Sequence, residues 1–538
     1  MAKTTTTISR KESELNFAEV ENACTKVESS DAKAVMGTVR LFSDDNDIIL
    51  IPTPTTDTHD PLNLPDWRKI IIVINVSIFA AVATLIASSF GAILPVVSKE
   101  YPGDPGVHDL ITFPALFIGV GNAIFVPISH AVGRRPVYLF SLLMIIASSI
   151  WCACSTSLSS HVAGRNILAL AAGQAEALCP IMIQEVYFLH QRGTMIAIFC
   201  AAQTLGTAIL TVASSHLALD LGWRWWYGIF AIINFICLLL AIFFVTETKY
   251  ERSTEALSGK GHPGSLTPES FQPVTSRQRP PIDHDRYLPR TLRSDLALFH
   301  GPFQWHETVT CWKHMGQVAL FPNVIWLYLA SGAFLGVFVM FGAVFADILV
   351  APPYNFDFEW LGYVFAGQIV VSFVVVPVQG YLSDYVVKLM GRRNSGMTEP
   401  EYRLITLILP FTAGIVSTVI FGQAGEHPYR WSWAAIAVTF NAEFYGFVGV
   451  IVASFTYVID SYPSRSDAAL VVLCFARGVV SFGMSYGAIR FINAKGYAGS
   501  FNICAIIMGL LGFLGIFVYA FGKKLRRVTQ AWIHDNSK

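Results

Sequence analysis

A charged side chain at the middle of a lipid bilayer costs roughly 2.5–3.5 kcal/mol on insertion scales, so each one found there needs a reason. Arg165 and Glu176 stand in one long apolar run, AGRNILALAAGQAEAL. On a continuous α-helix their spacing turns through roughly 1100°, about 20° past three turns. Both side chains then share a face, about 16 Å apart, with Ala172 between them. Glu176 reads as the carrier of a coupling proton or the partner of a cationic group on a substrate; the alternative is a structural acid paired to a neighbouring helix. Asn441 and Glu443, in TFNAEFYGF, lie about 200° apart on a helix and cannot both face one cavity. Glu443 either faces it or pairs with Arg477 of the next apolar run. Asn75 begins the sequon N-V-S inside an apolar run, where no sugar can be added, and is a candidate for lining an inner cavity. Gln203 offers a hydrogen bond to a substrate or to a neighbouring helix. Asp347, in FADILV, is a gate or an interfacial acid. The stripe Phe334, Phe338, Phe341 and Phe345 is packing, or a cage for an aromatic or quaternary cation through cation–π attraction.

The elements that must position these groups are membrane spans. Of 538 residues, 53% are hydrophobic and only 14% charged, against about 25% charged in a typical soluble domain. Runs long enough to cross a bilayer occupy 70–97, 109–131, 137–157, 162–184, 194–217, 225–246, 323–350, 360–382, 404–423, 432–458, 466–490 and 498–521. WWYGIFAIINFICLLLAIFFV (225–245) does not alternate apolar and polar as a barrel strand would. The expected fold is therefore all-α and integral to the membrane, with twelve transmembrane helices in two six-helix bundles, 67–246 and 323–521. Residues 1–66 are polar and expected to be a disordered cytoplasmic tail. The Pro- and Gly-rich link 247–322 is expected to be a mostly disordered cytoplasmic tether with short surface helices, and 522–538 a cytoplasmic tail. Arg134, Arg135, Arg192, Arg392 and Arg393 all fall in connections on one side, which the positive-inside rule assigns to the cytoplasm.

Several function classes drop out. The 37 basic and 37 acidic residues cancel, unlike the basic excess of a nucleic-acid binder. Most of the nine cysteines lie in apolar runs and read as small buried hydrophobes. GKGHPGS (259–265) lacks phosphate-loop spacing, and His306–Glu307 has its next histidine at 314, which rules out H-E-x-x-H. No cofactor, metal or catalytic group is expected; an ion gradient must supply the energy, with protons the favoured coupling ion.

The two halves echo each other. GRRPVY (133–138) follows the second run and GYLSDYVVKLMGRR (380–393) the eighth; EVYFLHQRG (185–193) follows the fourth and DSYPSRSDA (460–468) the tenth. Such parallel repeats imply bundles related by an axis along the membrane normal. The GRR loops resemble those of the major facilitator superfamily, whose motif G-x-L-A-D-R-x-G-R-[RK] is matched at its start by Gly380, Leu382, Ser383 and Asp384 and at its end by Gly391, Arg392 and Arg393, with extra residues between. In the first half only Gly133, Arg134 and Arg135 match; His130 stands at the usual Asp position and Val126 at the first Gly. Arg165 with Gly173 resembles the family's fourth-span motif, GWRWWYGIF (222–230) and VTETKYER (245–252) resemble sixth-span signatures of its fungal members, and YFLHQRG and YVIDSYP resemble the fungal drug:proton antiporter branch, near its polyamine and histidinol permease-like members. In span five Gly206 fits the antiporter motif, but Thr207 stands where Pro is usual and the Gly pair is absent. The resemblance implies a monomeric, plasma-membrane secondary transporter whose spans one, four, seven and ten line a central path. It implies small-molecule substrates, protons and the lipid bilayer as partners. Proton-coupled efflux of a drug, toxin or secondary metabolite is the first expectation, with an importer of a nutrient, polyamine or organic cation as the alternative and a transporter-like sensor as a remote one. The GRR-loop residues, with Asp384 opposite cytoplasmic arginines, are the expected conformational latch; the first-half latch either relies on Glu185 or works differently, and the alternative is that Arg134, Arg135, Arg392 and Arg393 mainly fix topology.

Overall fold

In a bilayer every backbone N–H and C=O must find its partner inside the protein, so long apolar runs become long helices. The computed structural model describes residues 37–42, 47–88, 90, 93, 96–97, 99–101, 105–252, 254–257, 274–275, 282–283, 289–299 and 303–535. The first bundle contains α1 (Asp66–Ser88), α2 (Asp109–Val132), α3 (Arg134–Ala153), α4 (Leu158–Ala172), α5 (Leu178–Val186), α6 (Leu189–Asp220) and α7 (Trp223–Phe244). In the link lies α8 (Trp305–Val318). The second bundle contains α9 (Pro322–Val350), α10 (Phe358–Val364), α11 (Gly367–Val375), α12 (Leu382–Arg393), α13 (Ile408–Glu426), α14 (Trp433–Ser461) and α15 (Ser466–Asp535). Extended pairing is slight among the described residues: β1 (Val39–Arg40) pairs antiparallel with β2 (Met397–Thr398), and isolated bridges join Phe42 to Ile48 and Ile49 to Thr275.

Local chemistry sets the boundaries. Ser157 and Ser432 cap α4 and α14 by accepting from the backbone N–H groups of Ser160 and Ala434. Span four is broken: a 3-10 turn, Gly173–Ala175, separates α4 from α5. Span eight carries a π-helical turn, Val376–Tyr381, where Pro377 contributes no N–H to the ladder.

Eleven described helical segments are long and apolar enough to cross a membrane. The last, within α15, runs through 70 residues. At about 1.5 Å per residue it would reach about 105 Å, more than three bilayer cores. It is folded at Gly496, where φ 72° and ψ 173° leave the helical region. Glu426 seats that bend by accepting from the amides of Tyr497 (2.8 Å) and Ala498 (3.3 Å). The expected twelve spans are reached only when α15 is divided there.

Each bundle has an apolar core, and Phe243, Phe373 and Ile506 lie exposed on the outer surface where lipid would sit. The Phe stripe of α9 is packing: Phe341 stacks on Phe421 with centroids 3.8 Å apart, Phe334 meets Phe411 at 4.9 Å, and Phe338 and Phe345 pack on Phe440. The bundles meet along two seams, α2 with α15 and α6 with α11 and the π turn. On the first seam a Cβ at Gly119 would sit 3.3 Å from Phe475 Cα, and one at Gly478 would sit 3.2 Å from the Ala115 carbonyl oxygen. The close approach uses small residues, as helix contacts in lipid do.

Two polar segments are more ordered than their composition implies. The 1–36 part of the expected disordered tail lies outside the described residues. Over 47–66 the chain is packed beneath the bundles. Asp60 and Leu62 are fully buried, and Asp60 pairs with Arg252 at 2.5 Å. Burial pushes the Asp60 carboxyl up, but Arg252 and the amides of Thr55 and Leu62 outweigh it and hold it below its usual range. The reason is a sparse set of apolar residues, Leu41, Ile49, Ile51 and Leu62, that find a surface on the helix ends. In the link, α8 packs on α2 and α15. Trp312 Nε1 donates to the Ala123 carbonyl at 3.0 Å, and Thr308 Oγ1 to that of Pro127 at 3.1 Å. We call the end of the molecule that carries residues 37–66, the link and the last turns of α15 the link face.

Candidate functional site

Charged residues concentrate where the two bundles meet at the link face, and they form two ties that mirror each other. In the first, Arg134 opens α3 and is almost fully buried. Its Nε donates to Glu185 Oε1 at 3.1 Å, within its own bundle, and its Nη2 donates to Asp467 Oδ2 of α15 in the other bundle. Gln184 Nε2 also donates to Asp467 (2.8 Å), and His130 Nε2 lies 3.2 Å from it. In the second tie Arg403, also buried, donates to Asp384 Oδ1 at 3.1 Å and to Asp460 Oδ2 within bundle two. Asp384 Oδ2 reaches across to α6, accepting from the Thr194 backbone N–H (2.8 Å) and hydroxyl (2.6 Å), while Arg192 of α6 donates to Asp460 (3.4 Å).

The mirror explains His130. In the second half the crossing acid is Asp384, at the end of span eight, against the start of span five. In the first half His130 holds the matching place, and the acid comes from the other side of the seam, as Asp467 in the first turn of α15. The polarity is exchanged and the tie survives. Gly133 is needed because φ is 113° there and a Cβ would meet the Glu247 carboxylate, which accepts from the Arg134 amide at 2.9 Å. Gly380 lies against α6, with a built Cβ 3.0 Å from that of Ala197, and Gly391 lies against Thr398. Arg135 is not part of a crossing tie: it donates to the carbonyls of Ala297 and Ile242, both at 2.7 Å, fastening the link to bundle one. Arg392 lies over the Phe42 ring at 5.3 Å and Arg393 is exposed on α12.

Deeper along the α2–α15 seam, Arg477 Nη2 donates to Glu176 Oε2 at 2.5 Å, joining span four to span eleven. Arg477 is 2% exposed and Glu176 24% exposed, so the acid is the accessible member. The bond to Glu176 excludes the pairing of Arg477 with Glu443, one of the two alternatives read from the sequence. Glu443 is fully buried inside bundle two and accepts from Ser417 (3.3 Å) and Thr418 (3.4 Å) of α13.

The shared face expected for Arg165 and Glu176 is also corrected, because the 3-10 turn between them breaks the helical arithmetic. Arg165 turns into bundle one, donating to the carbonyls of Leu110 (2.7 Å) and Ile86 (3.2 Å) and to the Tyr227 hydroxyl (3.0 Å), with Phe90 3.8 Å from its guanidinium. Asn75 does not line an inner cavity: it is buried among α1, α3 and α7, accepting from Tyr138 at 2.8 Å. Gln203 donates to Thr84 of α1 at 2.7 Å, the helix-to-helix alternative. Asn441 donates to the Val364 carbonyl at 3.0 Å, tying α14 to α10.

Sequence reasoning missed Asp467, Asp460, Arg192 and Arg403 as crossing partners. The signal was present in EVYFLHQRG and DSYPSRSDA, whose leading acids each hold the arginine that opens the span before. Among the described residues no group of three or more His, Cys, Asp or Glu is placed to hold a metal ion.

Two helical bundles joined by charged ties, with lipid-facing apolar surfaces, are the build of a multi-pass membrane transporter. Comparison with known proteins agrees. The family model Major Facilitator Superfamily matches residues 76–488, and the chain belongs to that family. An uncharacterized MFS-type transporter of Schizosaccharomyces pombe is 24% identical, the match covering 91% of this chain and 90% of that protein. Protein HOL1 of Saccharomyces cerevisiae is 22% identical over 92% of each, and efflux pump radE of Floropilus chiversii 23% identical over 87% and 83%. Among solved structures, the proton:xylose symporter XylE bound to 6-bromo-6-deoxy-D-glucose superposes with a TM-score of 0.57 at 16% identity, covering 87% of this chain and 100% of that one. The human organic anion transporter MFSD10 gives 0.53 at 15% identity, covering 84% and 100%. These two show the fold. The chain is thus a secondary transporter of the fungal branch, not an enzyme; it binds small molecules and sits in the bilayer.

Proposed function

We propose that this protein exports a small organic compound in exchange for protons by alternating access, from the plasma membrane and as a monomer. The link face, with both tails and the 247–322 link, is its cytoplasmic side, and 67–246 and 323–521 are the bundles that rock. The observation that carries the reading is the Glu176–Arg477 pair. Among the described residues it is the one place along the seam where an accessible acid and a buried cation hold the two bundles together within the membrane-spanning region. A proton taken up by Glu176 removes its charge and leaves Arg477 without a counter-ion, which weakens the seam. Loss of the proton restores the pair. Proton binding and bundle separation are then one coupled event. The export direction is supported by relatives such as the efflux pump radE.

The test is flux in liposomes. Compounds selected by thermal shift on purified protein are loaded, a pH step is imposed, and compound and proton movement are followed together. Movement of compound against the proton gradient, abolished in Glu176→Gln while the protein still inserts and binds, is expected. Compound movement indifferent to the pH step ends the proton-coupling claim, and co-directional movement makes the protein an importer.

A further inference from the structure

The described part of the N-terminal segment lies across both bundles at the link face. On bundle two, β1 adds to β2 in the loop before span nine, with Val39 opposite Thr398 and Arg40 opposite Met397. Leu41 N donates to the Gly396 carbonyl at 2.9 Å, and Thr398 Oγ1 to that of Val39 at 3.1 Å. From the last turns of α15, Arg526 donates to Thr38 Oγ1 at 3.3 Å. Ile49 N donates to the Leu41 carbonyl at 2.8 Å, and Phe42 forms an antiparallel bridge with Ile48. On bundle one, Leu189 N, at the first residue of α6, donates to the Ile51 carbonyl at 2.7 Å. Val39, Ile49, Ile51 and Leu189 form one apolar cluster. Leu189 also accepts from Arg403 across the seam at 3.4 Å. The segment therefore spans the line along which the bundles must part.

We propose that residues 39–42 and 47–51 are a clasp that holds the link face shut, and that β1 must leave β2 each time this face opens. The proposal rests on the alternating-access reading above. Which anchor yields follows from connectivity. The segment is covalently continuous with bundle one through residues 52–66, whose Asp60 and Leu62 are fully buried. Its hold on bundle two is a two-residue ladder, a few hydrogen bonds and the buried side chains of Leu41 and Phe42. A two-residue ladder is weak, with each net hydrogen bond contributing about 0.5–1.5 kcal/mol, so it can form and break within a cycle. The clasp covers a cavity of about 370 Å³ lined by Arg134, Glu185, Arg192, Arg403, Asp460 and Asp467, so while it is seated it also shields the ties from the aqueous phase.

The experiment locks the ladder. Val39→Cys and Thr398→Cys face each other as antiparallel partners. A third variant, Ser383→Cys, places a reporter thiol at a position that is 3% exposed beside Arg403. Labelling of that thiol by a water-soluble maleimide applied at the link face is followed in full-length protein in nanodiscs, after oxidation and again after reduction. Labelling after reduction, with a drop of at least about tenfold after oxidation, supports the clasp. Equal labelling in both states overturns it and leaves alternating access standing. No labelling in either state, in a protein that still takes up label when denatured, overturns alternating access at this seam and the clasp with it. As a second variant, Leu41→Asp places a charge where Leu41 is fully buried. It should raise Ser383→Cys labelling by roughly tenfold over the reporter alone; unchanged labelling overturns the proposal without requiring the disulfide to form.

Discussion

Replacing Glu176 by Gln keeps the size and hydrogen-bonding capacity of the side chain and removes its charge. Arg477 then stays buried with its counter-ion gone. Its Nε and Nη1 carry no hydrogen bond, and the Phe455 ring lies 6.0 Å from its guanidinium, too far to replace a carboxylate. Removing one member of a buried ion pair costs about 3–5 kcal/mol, chiefly through the orphaned charge. Glu176 keeps about a quarter of its surface exposed, so the low end, about 3 kcal/mol, applies. The cost falls on the conformation in which the seam is closed. At about 1.4 kcal/mol per factor of ten, the closed-to-open ratio should fall by roughly 150-fold. Spin labels on exposed ends of α2 and α15, read by pulsed EPR in nanodiscs, measure that ratio. A double-mutant cycle with Arg477→Gln gives the sign check: the double variant should be less perturbed than Glu176→Gln alone, because no orphaned charge remains. Additive effects within about 0.5 kcal/mol would refute the coupling. A Glu176→Gln protein with wild-type distances and wild-type pH dependence would refute it as well.

Four further outcomes follow from the same geometry. Asp467→Asn removes the acid shared by Arg134, Gln184 and His130 and should loosen the link face by about 3 kcal/mol, read as faster maleimide labelling of that face with substrate binding intact. Arg403→Ala leaves Asp384 without its arginine and Asp460 with Arg192 alone, and should lower thermal stability more than any single exposed arginine change, by about 3–5 kcal/mol, measured by denaturation in detergent. Burial, with Arg465 and His130 nearby, pushes the His314 imidazole down to about 4, below its usual 6.5. The undocked helix therefore binds the proton more readily, so docking of α8 is at full strength above about pH 6.5 and weakens as pH falls from there towards about 4. Protection of the 305–318 amides, with exchange rates corrected for their intrinsic pH dependence, should fall across that window, and in His314→Gln that fall should vanish. Gly496→Ala forces a side chain into positive φ against the Glu426 carboxylate 2.8 Å away and should cost about 1–3 kcal/mol, seen as a lowered unfolding temperature.

Much of the architecture was legible because bilayer thickness translates directly into run length, and the GRR echoes marked the two halves. The geometry of the site was less so, for reasons visible in particular residues. Glu176 stood out through the expense of its charge. Its partner did not, because spacing along one chain reports on neighbours within a helix and not on helices meeting across a seam. Glu443 was the one partner considered for Arg477 since spans ten and eleven adjoin in sequence, whereas α15 packs on α2 and reaches span four. The face shared by Arg165 and Glu176 assumed an unbroken helix; Gly173 in GQAE was the hint that the turn tightens there. The tail residues Leu41, Ile51 and Leu62 were too few to suggest a core, yet they needed only an existing surface to settle on.

Span five lacks the proline usual at position 207, and α6 runs unbroken through 32 residues. Near its midpoint Thr207 donates to the Ala81 carbonyl of α1 at 3.1 Å, and a Cβ at Gly206 would press on Ala81. Thr194, held by Asp384, and Asp220 at the far end each lie about 20 Å from that point along the axis. A stiff rod resting on such a fulcrum is a balanced lever. In the alternating access proposed above, travel imposed on its gripped end would reappear, in the opposite sense, at the other side of the membrane, so letting go at one mouth and tightening at the other would be a single stroke.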